Sequence, residues 1–257
     1  MEREPGKSSP MPVWDHLAEM RVRLVRSLVG LFLASVLAYV LSDYLVVALE
    51  QPLLRILPAS DRHLYFTGVT DKFVTYIKVS LLFGLLVAAP YLFWEIWRFL
   101  QPGLKQAEKR LVVPFVGLAS LAFLCGVAFA FFLLLPVGFR WLIEFGSIDA
   151  KPIITLREYF AFTLKLLLCL GLVFEVPVLL MLLGRLGVLD RKKLLPYRKH
   201  AIVGNALFAA LATPTNDVLS MLLVFGALLV LFELGLLGMW MGEYWNAGDA
   251  ADSAAVS

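Results

Sequence analysis

The sequence predicts an all-α polytopic membrane protein with six transmembrane helices, cytoplasmic N and C termini, and short fifth and sixth spans. Three observations predict this class: the composition, the length of the apolar runs and the placement of the basic residues. Of 257 residues, 60% are hydrophobic and 17% charged, whereas soluble domains have about 45–50% apolar and about 25% charged residues. The mean hydropathy is +0.82. The apolar runs are continuous, unlike the alternating segments of about ten residues in a transmembrane β-barrel.

Six apolar runs are the candidate spans, because about 20 helical residues cross a hydrocarbon core of about 30 Å. The second run is longer than a crossing needs and contains Pro90, where we expect a kink. The fifth run is shorter than a normal crossing, so it must thin the bilayer locally or recruit partner helices. The predicted spans are residues 24–44, 71–99, 111–137, 159–183, 200–212 and 218–240.

The segments around the spans complete the predicted organisation. Residues 1–12 are polar and are predicted to be a flexible N-terminus, with no cleavable signal peptide. Residues 13–26 have the spacing of an amphipathic helix on the membrane surface, and they open a membrane domain over residues 13–240. Residues 45–70 are predicted to form an external loop with one short helix. Residues 241–257 are small and acidic, which predicts a disordered cytoplasmic tail.

The basic residues predict the orientation. Fifteen of the 23 Lys and Arg lie in the amino-terminal segment and in the loops after the second and fourth runs, whereas the two long opposite loops carry six. Short loops rich in Lys and Arg stay in the cytoplasm. The termini are therefore predicted to be cytoplasmic.

One of these basic loops, residues 99–114, contains the single carboxylate Glu108. Pro102 and Gly103 break the preceding helix. Glu108 either neutralises its basic neighbours or is half of a cation-binding site, and the residues alone leave both alternatives open. Four cations surround it: Arg98, Lys105, Lys109 and Arg110.

Glu175 lies deep inside the fourth span, where an ionised carboxylate is costly. It must therefore face protein or water, or carry a proton. Pro177 frees the backbone carbonyl of Val173 beside it. One interpretation is a structural hydrogen bond to another helix, and the other is a polar site that receives a substrate or a partner helix. Ionisable residues within membranes favour the second.

Enzyme motifs are absent from the sequence, which contains no Walker loop, no H-E-x-x-H and no nucleophile-elbow serine. The three histidines lack metal-ligand spacing, and Cys125 and Cys169 lie in apolar runs as small hydrophobes. We therefore expect no enzyme activity, metal or cofactor.

Five motifs follow one another in collinear order over about residues 12–240. They are HLAEMRVRL (16–24), FLQPGLKQAEKRLVVP (99–114), FEVPV (174–178), RKKLLPYRK (191–199) and the TP…D turn (213–217). Together they resemble the TatC family, the multispanning receptor subunits of the twin-arginine protein translocase.

The resemblance implies a concave bundle that binds signal peptides with two consecutive arginines through Glu19 and Glu108, with Phe99 beside them. Arginine pairs with carboxylate in a planar, bidentate manner that lysine cannot reproduce. Adjacent residues of an extended peptide point to opposite sides, so we expect each carboxylate to take one arginine. Arg21 and Arg23 would repel a peptide that is merely basic. From spacing alone, Glu19 and Arg23 are also explained as a surface i,i+4 ion pair.

The resemblance also implies that Glu175 faces a groove used by the hydrophobic part of the signal peptide and by single-span TatA-type and TatB-type partners. The last two spans are implied to form part of that contact. The turn with Pro214 and Asp217 contains an additional Asn216, and Met221 stands where the family has a polar side chain.

The implied setting is a homo-oligomeric receptor complex in the bacterial cytoplasmic (inner) membrane. Its substrates are twin-arginine precursor proteins, it binds no nucleic acid, and it draws on the proton-motive force. The alternative is a secondary transporter or channel that uses Glu175 as an ion or proton site. The absence of an inverted repeat and the short last spans disfavour that alternative.

Overall fold

The structure, a computed structural model, describes residues 13–57, 62–100, 112–144, 153–212 and 218–255. Within these ranges the regular structure is helical, and the only β contact is an isolated parallel bridge between Tyr65 and Thr155. The bridge joins the segments that lead into two long helices. Tyr65 lies six residues before Asp71, where one helix begins, and Thr155 directly precedes Leu156, where the other begins. The helices are α1 (Val13–Val40), α2 (Ser42–Leu54), α3 (Asp71–Leu100), α4 (Val112–Phe129), α5 (Leu135–Glu144), α6 (Leu156–Val173), α7 (Val176–Arg185), α8 (Arg191–Leu194), α9 (Arg198–Ala212) and α10 (Val218–Ala255).

Five helical stretches in the described ranges are long and apolar enough to cross a membrane. A π-helical turn, Ala130–Leu134, joins α4 to α5, so these two helices act as one stretch. The predicted class, an all-helical multi-pass membrane protein, is confirmed at this level. With 15 residues, α9 is about 22 Å long, less than the bilayer core. The five stretches are Ala18–Val40, Asp71–Phe99, Val112–Ile143, Leu156–Arg185 and Met221–Met241.

The first helix differs from its prediction. The sequence predicted an amphipathic helix on the membrane surface over residues 13–26 and a first span over residues 24–44, but α1 runs without interruption from Val13 to Val40. The physical reason is that neither proline nor glycine occurs between Val13 and Val29, so nothing ends the helix where the apolar run begins. The polar residues of α1 are therefore rigidly connected to its apolar part.

The last helix is also longer than its predicted span. α10 continues beyond Trp240 to Ala255, through most of the segment predicted as a disordered tail. This segment is rich in alanine, the residue with the highest helix propensity. The division of the chain into a flexible N-terminus, a six-span domain and a tail remains a prediction.

Helices α1 and α3 pack closely because glycine lets their backbones approach. A Cβ atom added at Gly84 of α3 would lie 2.6 Å from the Cα atom of Ser35 on α1. One added at Gly30 of α1 would lie 2.5 Å from a ring carbon of Tyr91 on α3. Small residues serve this purpose in membrane helices generally. Residue numbers rise along one helix as they fall along the other, so the helices are antiparallel.

The main core lies around α6 and receives side chains from α2, α3 and α4. Phe160 and Leu170 are almost completely buried there. The Tyr159 hydroxyl donates a hydrogen bond of 2.5 Å to the carbonyl of Leu49, which ties α2 to α6. A second, smaller cluster contains Trp97 of α3, so the carboxyl-terminal part of α3 is anchored at the same end of the molecule as α7.

Candidate functional site

Three charged side chains form an ion cluster between α1 and α3. The Arg23 guanidinium donates from Nε to Glu19 Oε1 at 3.0 Å and from Nη1 to Glu95 Oε2 at 3.3 Å. Its Nη2 atom also donates to Glu19 Oε1. One arginine therefore bridges two carboxylates on different helices. We call Glu19, Arg23 and Glu95 the ion cluster.

The local sequence and the helix packing together explain this arrangement. Glu19 and Arg23 are four residues apart on α1, so they lie on the same helical face. The antiparallel register that Gly30 and Gly84 set brings Arg23 opposite Glu95 near the carboxyl end of α3. The cluster therefore depends on the whole α1–α3 interface.

The cluster is largely shielded from its surroundings. Glu95 is only 4% exposed, and the side chains of Arg23 and Glu19 are 16% and 23% exposed. The second oxygen of Glu19, Oε2, is buried and has no hydrogen-bond partner among the described residues. Two carboxylates and one guanidinium leave a formal charge of −1 beside Glu19 Oε2, the acceptor atom without a described partner. This arrangement suits a further cation, above all one with several N–H donors.

Glu95 is the site residue that the sequence interpretation missed. Its local sequence, WEIWRF (residues 94–99), is rich in aromatic residues, as is typical of a span end at a membrane interface, and this pattern obscures the carboxylate. Glu95 lies within an apolar helix of 30 residues, five residues before its end, and a carboxylate inside an apolar span is costly, as it is at Glu175. The free-energy cost of an ionised carboxylate inside an apolar span is therefore the signal in the sequence that could have identified Glu95.

Other residues predicted for peptide binding have varied positions. Arg21 is exposed on α1 and is not bonded within the ion cluster. Phe99 is half-buried in the last turn of α3, four residues beyond Glu95. Glu108 lies outside the described residues. The structure therefore brings Glu19 and Arg23 together and adds Glu95.

The structure places Glu175 at a break in the fourth long stretch. α6 ends at Val173, α7 begins at Val176, and Pro177 occupies the first turn of α7. The amide of Glu175 donates to the carbonyl of Leu172 at 3.1 Å, a tighter turn than the α-helix makes. Glu175 is 7% exposed, and its Oε1 atom has no partner among the described residues. A buried carboxylate oxygen is therefore available at the break.

Two lysines from different helices, Lys78 of α3 and Lys165 of α6, share one cavity. An apolar cavity of about 470 Å³ lies between α1, α3 and α6, and both Lys78 and Lys165 line it together with leucines such as Leu31 and Leu82. Long lysine stems cover apolar surface and carry their charge toward an interface.

The described residues contain no group of three or more His, Cys, Asp or Glu that could hold a metal ion.

The predicted partner-contact residues lie around the start of α10. Met221 is half-buried and packs against the main core. Pro214 and Asp217 lie outside the described residues. Further along, Glu233 of α10 pairs with Arg198 at the start of α9. This ion pair fixes the amino-terminal end of the short helix α9 to α10.

The long apolar helices and their embedded carboxylates define a multi-pass helical membrane protein with ionisable sites within its bundle. Comparison with known proteins identifies the family to which the chain belongs. The family model described as "Sec-independent protein translocase protein (TatC)" matches residues 15–226. The chain belongs to the TatC family. This membership favours the translocase interpretation of the chain over the transporter interpretation.

Individual relatives are similar over most of the chain. The Sec-independent protein translocase protein TatC of Desulforapulum autotrophicum is 38% identical over 93% of this chain and 86% of its own length. The Sec-independent protein translocase protein TatC of Carboxydothermus hydrogenoformans is 34% identical over 90% of this chain and 93% of its own length. A crystal structure of the twin-arginine translocase receptor TatC matches with a TM-score of 0.75 and 30% identity, covering 89% of this chain and 99% of that one.

Proposed function

We propose that this chain is the receptor subunit that recognises twin-arginine signal peptides of folded precursor proteins and nucleates the translocation complex. The observation that carries the proposal is the Glu19 carboxylate, which Arg23 holds in place and whose second oxygen has no described partner. An arginine guanidinium is permanently charged and offers five N–H donors in a fixed fork. It therefore fits a fixed, buried carboxylate oxygen better than a lysine does.

The second carboxylate of the proposed site is Glu108, in the basic loop after α3. In an extended peptide, neighbouring side chains point to opposite sides, so Glu19 and Glu108 each take one arginine. Phe99 contributes an apolar surface at the end of α3, and Arg21 and Arg23 disfavour peptides that are merely basic. Glu175 receives the hydrophobic part of the peptide or a partner helix at the α6–α7 break.

The setting we propose is a receptor complex with six spans per chain and both termini in the cytoplasm of a bacterial inner membrane. The short α9 and the start of α10, including Pro214, Asp217 and Met221, contact TatA-type and TatB-type single-span partners. Several copies of the chain assemble in this complex. The proton-motive force drives transport.

Site-specific photocrosslinking between a twin-arginine precursor and the full-length chain tests the proposal. A photoreactive residue beside the two arginines should crosslink to the wild type. Glu19→Ala and Glu108→Ala should each lose the crosslink, because each removes the partner of one guanidinium. Glu233→Ala is the matched control, since it removes an exposed carboxylate from another ion pair.

The precursor supplies a second control. Replacing its two arginines by lysines should abolish the crosslink to the wild type, because an ammonium cannot make the bidentate contact. Normal crosslinking in both glutamate variants, with each protein inserted and folded, would reject the two-carboxylate site.

A further inference from the structure

We propose that Glu95 is a positioning residue for the peptide site: it binds Arg23, offsets the charge of this arginine and thereby leaves the Glu19 carboxylate able to attract an incoming arginine. This inference rests on the proposed function, because it assigns a role toward the same Glu19. It adds a buried third charge from α3 to a site otherwise composed of α1 and a loop.

The bonding of Arg23 shows why a second carboxylate matters. Arg23 directs Nε and Nη2 toward Glu19 and Nη1 toward Glu95. If Glu95 carried no charge, Glu19 and Arg23 would form a neutral i,i+4 pair, and an approaching guanidinium would meet no net charge. With Glu95 ionised, the cluster has a formal charge of −1.

The position of the open acceptor supports the same role. All three bonds of Arg23 go to one oxygen of each carboxylate, and Glu19 Oε2 is left buried without a described partner. Glu95 lies beneath a nearly closed surface at 4% exposure, so its charge is poorly screened by water. Glu95 acts through Arg23 and does not itself contact the peptide.

A purely structural role for Glu95 is the competing explanation. In that case Arg23 and Glu95 only fasten α1 to α3, and the charge of the cluster has no effect on the peptide. The two explanations differ in what happens when both Arg23 and Glu95 are made neutral. The structural role predicts that the double variant binds the peptide no better than Glu95→Gln alone, whereas the charge role predicts that peptide binding recovers.

The experiment measures the affinity of a fluorescent twin-arginine signal peptide for the full-length protein in lipid nanodiscs. Glu95→Gln should weaken binding about tenfold at low salt, since it removes one poorly screened charge near the peptide. Glutamine keeps an oxygen that accepts from Arg23, so α1 and α3 stay joined. Glu95→Gln combined with Arg23→Gln leaves Glu19 as the single charge, and the amide at position 23 still offers N–H donors to hold Glu19 four residues away. The affinity should therefore return to within about threefold of the wild type.

Two further variants separate the possible failures. Glu233→Gln, which neutralises an exposed carboxylate elsewhere, should bind as the wild type. Glu19→Gln should lose arginine-dependent binding if the proposed function is right, and normal binding by it would overturn the proposed function and this inference together. Loss in Glu19→Gln with unchanged affinity in Glu95→Gln would overturn the inference alone. The inference would also be overturned if the double variant, Glu95→Gln with Arg23→Gln, bound the peptide no better than Glu95→Gln alone. Thermal melting checks that both proteins are folded.

Discussion

At the scale of single residues, Glu19, Glu95 and Glu175 place carboxylates within helices where an apolar environment makes charge expensive. Glu95 shares Arg23 with Glu19, whereas Glu175 has an oxygen without a described partner. A buried ion pair adds little net stability, but a buried charge that loses its partner is strongly destabilising. The difference makes the partner of Glu95 more important for folding than an exposed ion pair.

Arg23→Gln should therefore lower the free energy of unfolding by about 3 kcal/mol. It leaves Glu95 buried without a cation, and thermal melting in mild detergent measures the effect. The additional change Glu95→Gln should recover most of the loss. Arg198→Gln is the control, because it breaks a half-exposed pair that contributes at most about 1 kcal/mol. Equal losses in the two single variants would contradict the distinction between buried and exposed pairs.

At the scale of helices, the α1–α3 contact depends on glycine at one position in particular. Gly84→Ala should destabilise the protein by about 1–3 kcal/mol, because the new Cβ would lie 2.6 Å from the backbone of Ser35. The helices must separate, so peptide binding through Glu19 should weaken as well. Thermal melting and the photocrosslink measure the two effects.

Gly117→Ala provides the comparison for that prediction. Gly117 also lies within a helix, but a Cβ added there meets nothing within 4 Å. The change should be neutral or should stabilise by about 0.5–1 kcal/mol, since alanine favours the helix over glycine. If both glycine variants behaved alike, the close approach of α1 and α3 would not be the cause.

The short helix α2 gives a prediction about pH. Burial raises the pKa of Glu50 above its ordinary value. Protonation therefore favours the folded state, and stability from this group is lost as pH rises from the unfolded pKa to the higher folded one. Glu50→Gln should raise the melting temperature at pH 7–8 and leave it unchanged near pH 4. A gain of the same size at both pH values would show that charge is not involved.

Much of the helical organisation follows from hydropathy, and its failures have physical causes. The sequence predicted one fourth span over residues 159–183, with the carbonyl of Val173 freed by Pro177, and the structure ends α6 at Val173 and begins α7 at Val176. The sequence did not predict that Arg23 bridges to Glu95, because the pairing depends on the antiparallel register that Gly30 and Gly84 create. Local spacing identified the Glu19–Arg23 pair but has no information on its partner 72 residues away.

At the scale of the whole molecule, the number of crossings decides where the C-terminus lies. Within the ranges that the structure describes, five stretches satisfy length and hydropathy, and the short α9 determines whether there is a sixth. Its first residue, Arg198, pairs with Glu233 of α10, so the first turn of α9 and the later part of α10 lie at the same level of the molecule. This level matches the predicted basic, cytoplasmic side.

Labelling of a single cysteine tests the six-span topology. In a background of Cys125→Ser and Cys169→Ser, Ser253→Cys should react with a membrane-impermeant maleimide only after the cells are permeabilised. Arg62→Cys, in the predicted external loop, should react in intact cells and is the positive control. Reaction of Ser253→Cys in intact cells would mean that α9 does not cross and that the chain has five spans.

The exposure of α1 outside its contact with α3 has a mechanical consequence for the molecule. α1 packs chiefly against α3, and most of its apolar side chains, Leu28 and Phe32 among them, are exposed. A tilt of α1 relative to α3 would pivot at Ser35, where the backbone of α1 lies against Gly84. Glu19 lies about 24 Å along the helix axis from that point, so a tilt of about 5° displaces its carboxylate by about 2 Å. Such a displacement exceeds the tolerance of a hydrogen bond, and a helix docking against the free side of α1 could thereby set the strength of peptide capture from a distance.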